Sequence, residues 1–275
     1  MKLPRREFLP LAAAALIARP TAAAERRLFD SHFHIIDPRF PLVPNQGYTP
    51  PAFPLAEYLE QAKLLGVIAG AVVSGSFQAN DQTYMIDTLG KLGAGWVGVT
   101  QIANDYPDAE IAKLGKVGVR AVRFNIQRGR IDNIDDIVAL ATRCHAVGGW
   151  HAEFYVDAAS LAPHADRLSK LPQIVIDHLG MTEEGVPVLL DLVAAGCKVK
   201  ATGFGRVKMD VPKTLERIAQ KNPNALVFGT DMPSTRAPRP FMPSDIDLIE
   251  KVLGRELAQR TFWDNPLALY RVKIS

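Results

Sequence analysis

The stretch that decides the fold is Leu28-Phe29-Asp30-Ser31-His32-Phe33-His34-Ile35, which runs straight into the proline-rich segment Asp37-Pro38-Arg39-Phe40-Pro41. An apolar run that ends in two histidines and then prolines reads as a first strand delivering polar side chains at its C-terminal end. An open, doubly wound sheet would place a glycine-rich phosphate loop at this point, and none is present. Working outward, further short apolar runs follow at Gly70–Ser74, Trp96–Gln101, Ala121–Ile126, Trp150–Val156, Ile174–Asp177, Lys198–Thr202 and Leu226–Gly229. Amphipathic helical patterns separate them, among them Pro54–Leu65, Asn80–Leu92, Ile134–Ala146, Ala159–Leu171, Val186–Ala195 and Pro212–Lys221. Near-continuous Val/Ile/Ala strands alternating with helices predict a parallel sheet covered on its outer face. Eight such units in one chain predict an α/β fold of the (β/α)8 TIM-barrel type in a single domain.

The first residues have a different character. Arg5-Arg6-Glu7-Phe8-Leu9, the alanine-rich run from Leu11 to Ala18 and the small residues Ala22-Ala23-Ala24 have the three parts of a secretory signal peptide. The paired arginines are similar to a twin-arginine signal. The expected division is therefore a signal peptide over residues 1–24 and a barrel domain over 25–275, with a periplasmic location for the mature chain. Lys2, Arg5, Arg6 and Arg19 against Glu7 account for the whole formal charge of +3, so the remainder is neutral. That balance gives no reason to expect a nucleic-acid partner. The apolar run is too short to span a bilayer, and no later stretch is longer, so no membrane insertion is expected after cleavage. Cys144 and Cys197 are too few for a disulfide framework and are expected as buried thiols.

Polar residues collect at C-terminal strand ends: His32, His34, Ser74, Gln101, Arg123, Asn125, Tyr155, His178, Arg206 and Asp231. In a barrel this is the face where active sites are built. His32 and His34 lie two apart and project from one face of their strand. Paired imidazoles suit either a metal or a substrate oxygen that needs donors. Arg123 alternates with Val122 and Phe124, so it points inward, and with no acidic neighbour evident it is a natural clamp for a substrate carboxylate. Arg206 could hold a second acid group or tie down its own loop. Tyr48, Tyr155, Ser74 or Ser76, Asn125 and Arg128 complete the expected substrate-binding set. His151 lies too deep for the site, and His145 and His164 fall on helices.

His-x-His on the first strand, histidine after the sixth and aspartate after the eighth resemble the amidohydrolase superfamily. Phe29 to His34 and the terminal Asn265-Pro266-Leu267-Ala268-Leu269-Tyr270 look like the opening and closing signatures of its amidohydrolase-2 branch. Gly47-Tyr48-Thr49-Pro50, Gly118 to Asn125 and Trp150 to Asp157 are similar to the group containing the 2-pyrone-4,6-dicarboxylate lactonases and sugar-lactone enzymes. The resemblance implies a metal-independent hydrolase of a carboxylated lactone. Asp231 would be the general base for water, while His32, His34 and His178 polarise the carbonyl and stabilise the oxyanion. An aspartate in that role needs little or no pKa elevation. Two departures bear on the substrate: Gly129 stands between Arg128 and Arg130 where those lactonases carry an arginine, and Met232-Pro233-Ser234 replaces Trp-Pro-His. Three alternatives remain open. One is lactone isomerisation. Another is decarboxylation or C–C cleavage with one zinc or manganese ion on His32, His34, His178 and Asp231. The third is non-catalytic capture of an acidic ligand.

Overall fold

A computed structural model describes residues 26–129 and 133–274, so the expected leader and Arg130 lie outside the described residues. Eight strands form one parallel sheet in sequential order: β1 (Leu28–Phe33), β2 (Val67–Val73), β3 (Trp96–Thr100), β4 (Val119–Phe124), β5 (His151–Phe154), β6 (Ile174–Ile176), β7 (Lys198–Ala201) and β8 (Leu226–Phe228). Helices follow the strands on the outside, in agreement with the barrel expected from the alternation. One helical expectation is corrected. The segment 159–171 is not a single helix but a 3-10 stretch, Ala158–His164, followed by one α-turn, Ala165–Leu168. Pro163 lies inside it and removes a backbone donor.

The seam between β1 and β8 is closed by side chains and backbone together. The buried Asp30 carboxylate accepts from the Thr230 N–H at 2.8 Å, the Thr230 hydroxyl at 2.6 Å and the Tyr58 hydroxyl at 3.1 Å. Beyond it, Asp231 N–H donates to His32 C=O at 2.7 Å and His34 N–H to Met232 C=O at 2.8 Å. Gly229 is required here because a Cβ would lie 2.7 Å from both the His32 nitrogen and a Thr202 methyl.

β1 carries a bulge that matters for the site. Asp30 pairs with Gly70 and Phe33 with Val72, so three steps along β1 match two along β2. The extra residue reverses the alternation of side chains. Phe29 points inward onto Tyr270 (ring centroids 5.4 Å apart) and Asp30 outward, yet Phe33 again points outward, stacked at 3.8 Å on Tyr58. His32 and His34 are thereby both delivered to the interior.

The two sides of the barrel wall differ in composition. Outward residues such as Val122, Phe124, Phe154, Ile176 and Phe228 join the helices in the main apolar core. Inside, Phe29, Ala71, Val73, Val97, Val99, Ala121, Val175 and Val227 pack above a floor of Trp263, Leu269 and Tyr270 from the C-terminal segment. Cys144 and Cys197 are buried free thiols, as expected.

Candidate active site

Four side chains meet at the C-terminal mouth. Asp231 Oδ1 lies 3.8 Å from His32 Nε2, 3.7 Å from His34 Nε2 and 3.9 Å from His178 Nε2. Asp231 Oδ1 and His32 Nε2 are buried and have no hydrogen-bond partner among the described residues. His178 lies two residues beyond β6 and Asp231 three beyond β8, and both adopt left-handed backbone, φ +50° and +61°. Such conformations are costly for residues with a Cβ, and they turn both side chains back over the barrel axis. Space for them depends on Gly203, where a Cβ would lie 2.7 Å from His178 Nδ1 and 3.0 Å from Arg206.

Under this cluster lies a buried charged network absent from the sequence reading. Lys200 Nζ donates to Glu153 Oε2 at 2.5 Å and reaches His32 Nδ1 at 3.1 Å. Arg123 donates through Nε and Nη2 to Asp177 Oδ2 (3.1 and 2.8 Å) and through Nη1 to Ser74 C=O at 2.8 Å. Glu153 Oε1 also accepts from the Tyr270 hydroxyl at 2.8 Å and faces His151 Nε2 at 2.9 Å. Two cations balance two carboxylates, which is the condition for keeping so much charge out of water. The signal was present in the strands. Glu153 and Lys200 interrupt apolar runs at inward positions, and a lone buried charge there demands a partner. Which strand supplies that partner depends on barrel closure.

This network corrects the reading of Arg123, whose acidic neighbour is Asp177, the residue before His178. Its guanidinium still borders the cavity but is already committed to that carboxylate. Arg206 likewise donates through Nε and Nη2 to Asp231 Oδ2, with the Nε contact at 3.0 Å, so it engages the candidate base and no second acid group. Ser74 is also corrected: its hydroxyl is turned to Tyr84 at 2.8 Å and away from the cavity, which Ser76 lines instead. Asn125, Arg128 and Tyr155 line the cavity, with the Tyr155 hydroxyl accepting from Arg128 at 3.3 Å. Tyr48 reaches the mouth indirectly, stacked 4.5 Å under the guanidinium of Arg236. Arg236 was not anticipated. It lines the cavity and bonds Asn45, and neither it nor Arg128 has an acidic partner among the described residues. His151 sits below the site, as expected.

Burial holds two of the site's imidazoles, His32 and His178, neutral. It lowers His32 well below the ordinary histidine value, with Lys200 adding to the effect, and it takes His178 down to about 3 against the opposing pull of Asp231. Burial is the largest single influence on Asp231 and would raise it, but Arg206 together with His178, His34 and His32 outweighs it and holds the carboxyl below the usual carboxylate range. Asp231 is therefore ionised but a weaker base than the sequence reading assumed.

As metal ligands the four residues match zinc in kind, three nitrogens and a carboxylate. His32, His34 and Asp231 bring one donor atom each within 4.8 Å of one another, as do His32, Asp177 and His178. Asp231 Oδ1 stands 3.7–3.9 Å from the three imidazole nitrogens, a few tenths of an ångström beyond the roughly 3.3–3.5 Å that bonds of about 2.0–2.2 Å set between tetrahedral ligands, so small side-chain shifts would close the set on an ion.

The family model described as "Amidohydrolase" matches residues 29–272. The 2-pyrone-4,6-dicarboxylate hydrolase of Comamonas testosteroni is 28% identical over 88% of this chain and 89% of its own. The 4-sulfomuconolactone hydrolase of Rhizobium radiobacter is 29% identical over 91% of this chain and 92% of its own. Among solved structures, an apo protein from Agrobacterium tumefaciens superimposes with a TM-score of 0.81 at 23% identity, covering 94% of this chain and 100% of that one.

Proposed function

Because this chain belongs to the amidohydrolase family, we propose that it is a hydrolase that opens an anionic lactone by attack of water. One observation carries the reading. The unpartnered Asp231 Oδ1 is ringed by three imidazole nitrogens at 3.7–3.9 Å, at the foot of a cavity whose mouth holds Arg128 and Arg236 without acidic partners among the described residues. The curated relatives support the substrate class, since both are named for cyclic esters that carry acid groups, carboxylates in one and a sulfonate in the other.

In this mechanism water lies against Asp231 Oδ1 and its oxygen attacks the lactone carbonyl carbon. The proton passes to Asp231 in concert with attack, since a carboxylate paired with Arg206 does not hold a proton for long. Imidazole N–H groups stabilise the oxyanion. As the tetrahedral species collapses, the ring C–O bond breaks and the proton moves on to the departing ring oxygen, giving an open-chain acid. Arg128 and Arg236 hold the acid groups of the substrate at the mouth, Arg128 with Tyr155 beside it.

The pairing of Asp231 with Arg206, which already engages its second oxygen, favours the metal-independent version. A metal-assisted version, favoured by the kind of donors present, would have His32, His34, His178 and Asp231 hold one ion that supplies Lewis acidity. Elemental analysis of the purified protein, with turnover of carboxylated and sulfonated lactones after chelation, tests both. Substoichiometric metal with chelator-resistant ring opening is expected. About one tightly bound zinc or manganese whose removal abolishes turnover would replace the mechanism, and failure to open any anionic lactone would sink the assignment. Export is part of the same proposal: fractionation of cells should recover the chain outside the cytoplasm, shortened to near Ala24.

A further inference from the structure

The two histidines of the His-x-His pair have different partners behind them, and the difference decides what each can do. His34 Nδ1 lies 2.8 Å from the Val73 carbonyl oxygen, which can only accept. Neutral His34 therefore carries its proton on Nδ1 and presents a lone pair at Nε2. Behind His32 stands the Lys200 ammonium, 3.1 Å from Nδ1, which can only donate. Neutral His32 therefore carries its proton on Nε2, the buried and unpartnered nitrogen that faces Asp231 Oδ1 at 3.8 Å. The competing partner is Asp177 Oδ1, which would accept from an Nδ1 proton and reverse the tautomer. It lies farther away, at 3.4 Å, Lys200 Nζ stands at the same 3.4 Å from it, and its sister oxygen is taken by Arg123.

We propose that Lys200, held by Glu153, is a positioning residue that fixes His32 as an N–H donor toward the reacting oxygen. The Val73 carbonyl, by contrast, fixes His34 as an acceptor. One strand thus supplies a donor and an acceptor from the same residue type, and both face Asp231 Oδ1. The role assigned to these tautomers rests on the lactone-opening reading, but the tautomers themselves do not. In this arrangement His32 Nε2 has no lone pair to offer a metal.

The test is a long-range 15N–1H correlation spectrum of the histidine-labelled full chain at neutral pH. His32 and His34 are assigned by the signals lost in His32→Gln and His34→Gln. His32 should show a protonated Nε2 and a bare Nδ1, and His34 the reverse. A wild-type spectrum with His32 protonated at Nδ1 overturns the proposal whatever the protein turns over.

The paired change Lys200→Met with Glu153→Gln removes the ammonium and one carboxylate together, leaving the buried charge balanced. Asp177 then becomes the nearest partner of His32 Nδ1. The His32 pattern should reverse, kcat should fall by about 10²–10³ with KM little changed, as for loss of one transition-state donor, and zinc should bind more tightly. A paired variant that keeps both the tautomer and kcat also overturns the proposal. Should that variant fail to fold, Lys200→Arg retains a donor and must retain the His32 pattern. A lactone-inactive protein with the predicted spectrum would remove the functional reading and leave the tautomer assignment standing.

Discussion

The outer and inner faces of the barrel wall are made by alternate residues of the same strands, yet they hold together by opposite means. On β4 and β5, Phe124 and Phe154 stack outward at 5.2 Å against the helical layer, while Arg123 and Glu153 point inward into ion pairs. The outer face is apolar burial, non-directional and tolerant of small shifts. The inner face between β4 and β7 is a set of buried charges whose desolvation is offset only while every partner is in place. The comparison teaches that stability can reside in either face, whereas chemistry requires the inner one, because only fixed charges and hydrogen-bonding groups can set tautomers and protonation states.

The largest expected effect on this contrast is at the inner face's exposed tip. Asp231→Asn should lower kcat on the lactone by roughly 10²–10⁴, the usual contribution of a positioned base. A loss below tenfold would take Asp231 out of the reaction. Next, Lys200→Met alone should cost about 3–5 kcal/mol in urea unfolding, because Glu153 and Asp177 lose their shared cation. Adding Glu153→Gln should recover most of that cost. Phe124→Ala on the outer face should cost a comparable 3–5 kcal/mol through cavity formation, but no second polar substitution should rescue it, and KM should stay unchanged. If it also shifted KM, the two faces would not be separable.

The smallest and most general effect is the pH dependence of stability. His178 is taken from 6.5 down to about 3 by burial, so its contribution is complete above pH 6.5 and is lost as pH falls toward 3. His32 and His151, lowered for the same reason, act in the same direction. Asp30 is pushed up to about 6 by burial, so its contribution is present below pH 3.8 and lost as pH rises through 6, opposing the histidines in that interval. With three histidines against one aspartate, unfolding free energy should fall on acidification below pH 6.5, by up to about 1.4 kcal/mol per pH unit for each excess proton. Histidine→glutamine at 178 should flatten the slope.

Much of this was legible before any coordinates. Strand positions followed from apolar runs and came within a few residues of their ends, because eight parallel strands buried on both faces need such runs. His32, His34, His178 and Asp231 were legible as a set because a barrel sends strand ends to one mouth. Arg236 was not, since it lies in an irregular loop where no periodicity marks direction. Ser74 and Ser76 could not be separated by spacing either: one hydroxyl turns to Tyr84, and the choice depends on packing of the helix behind it.

By itself, the sequence determined the fold class, the face that carries the site and the residues that end there, since hydrophobic period and strand-end chemistry are local properties. Only the tertiary structure decided which charges meet. Arg123 is joined to Asp177 and Lys200 to Glu153 and His32 across strands far apart in sequence, and the bulge in β1 turns both histidines inward. Pairing energies depend on distances of a few ångströms, and only closure of the barrel sets those distances.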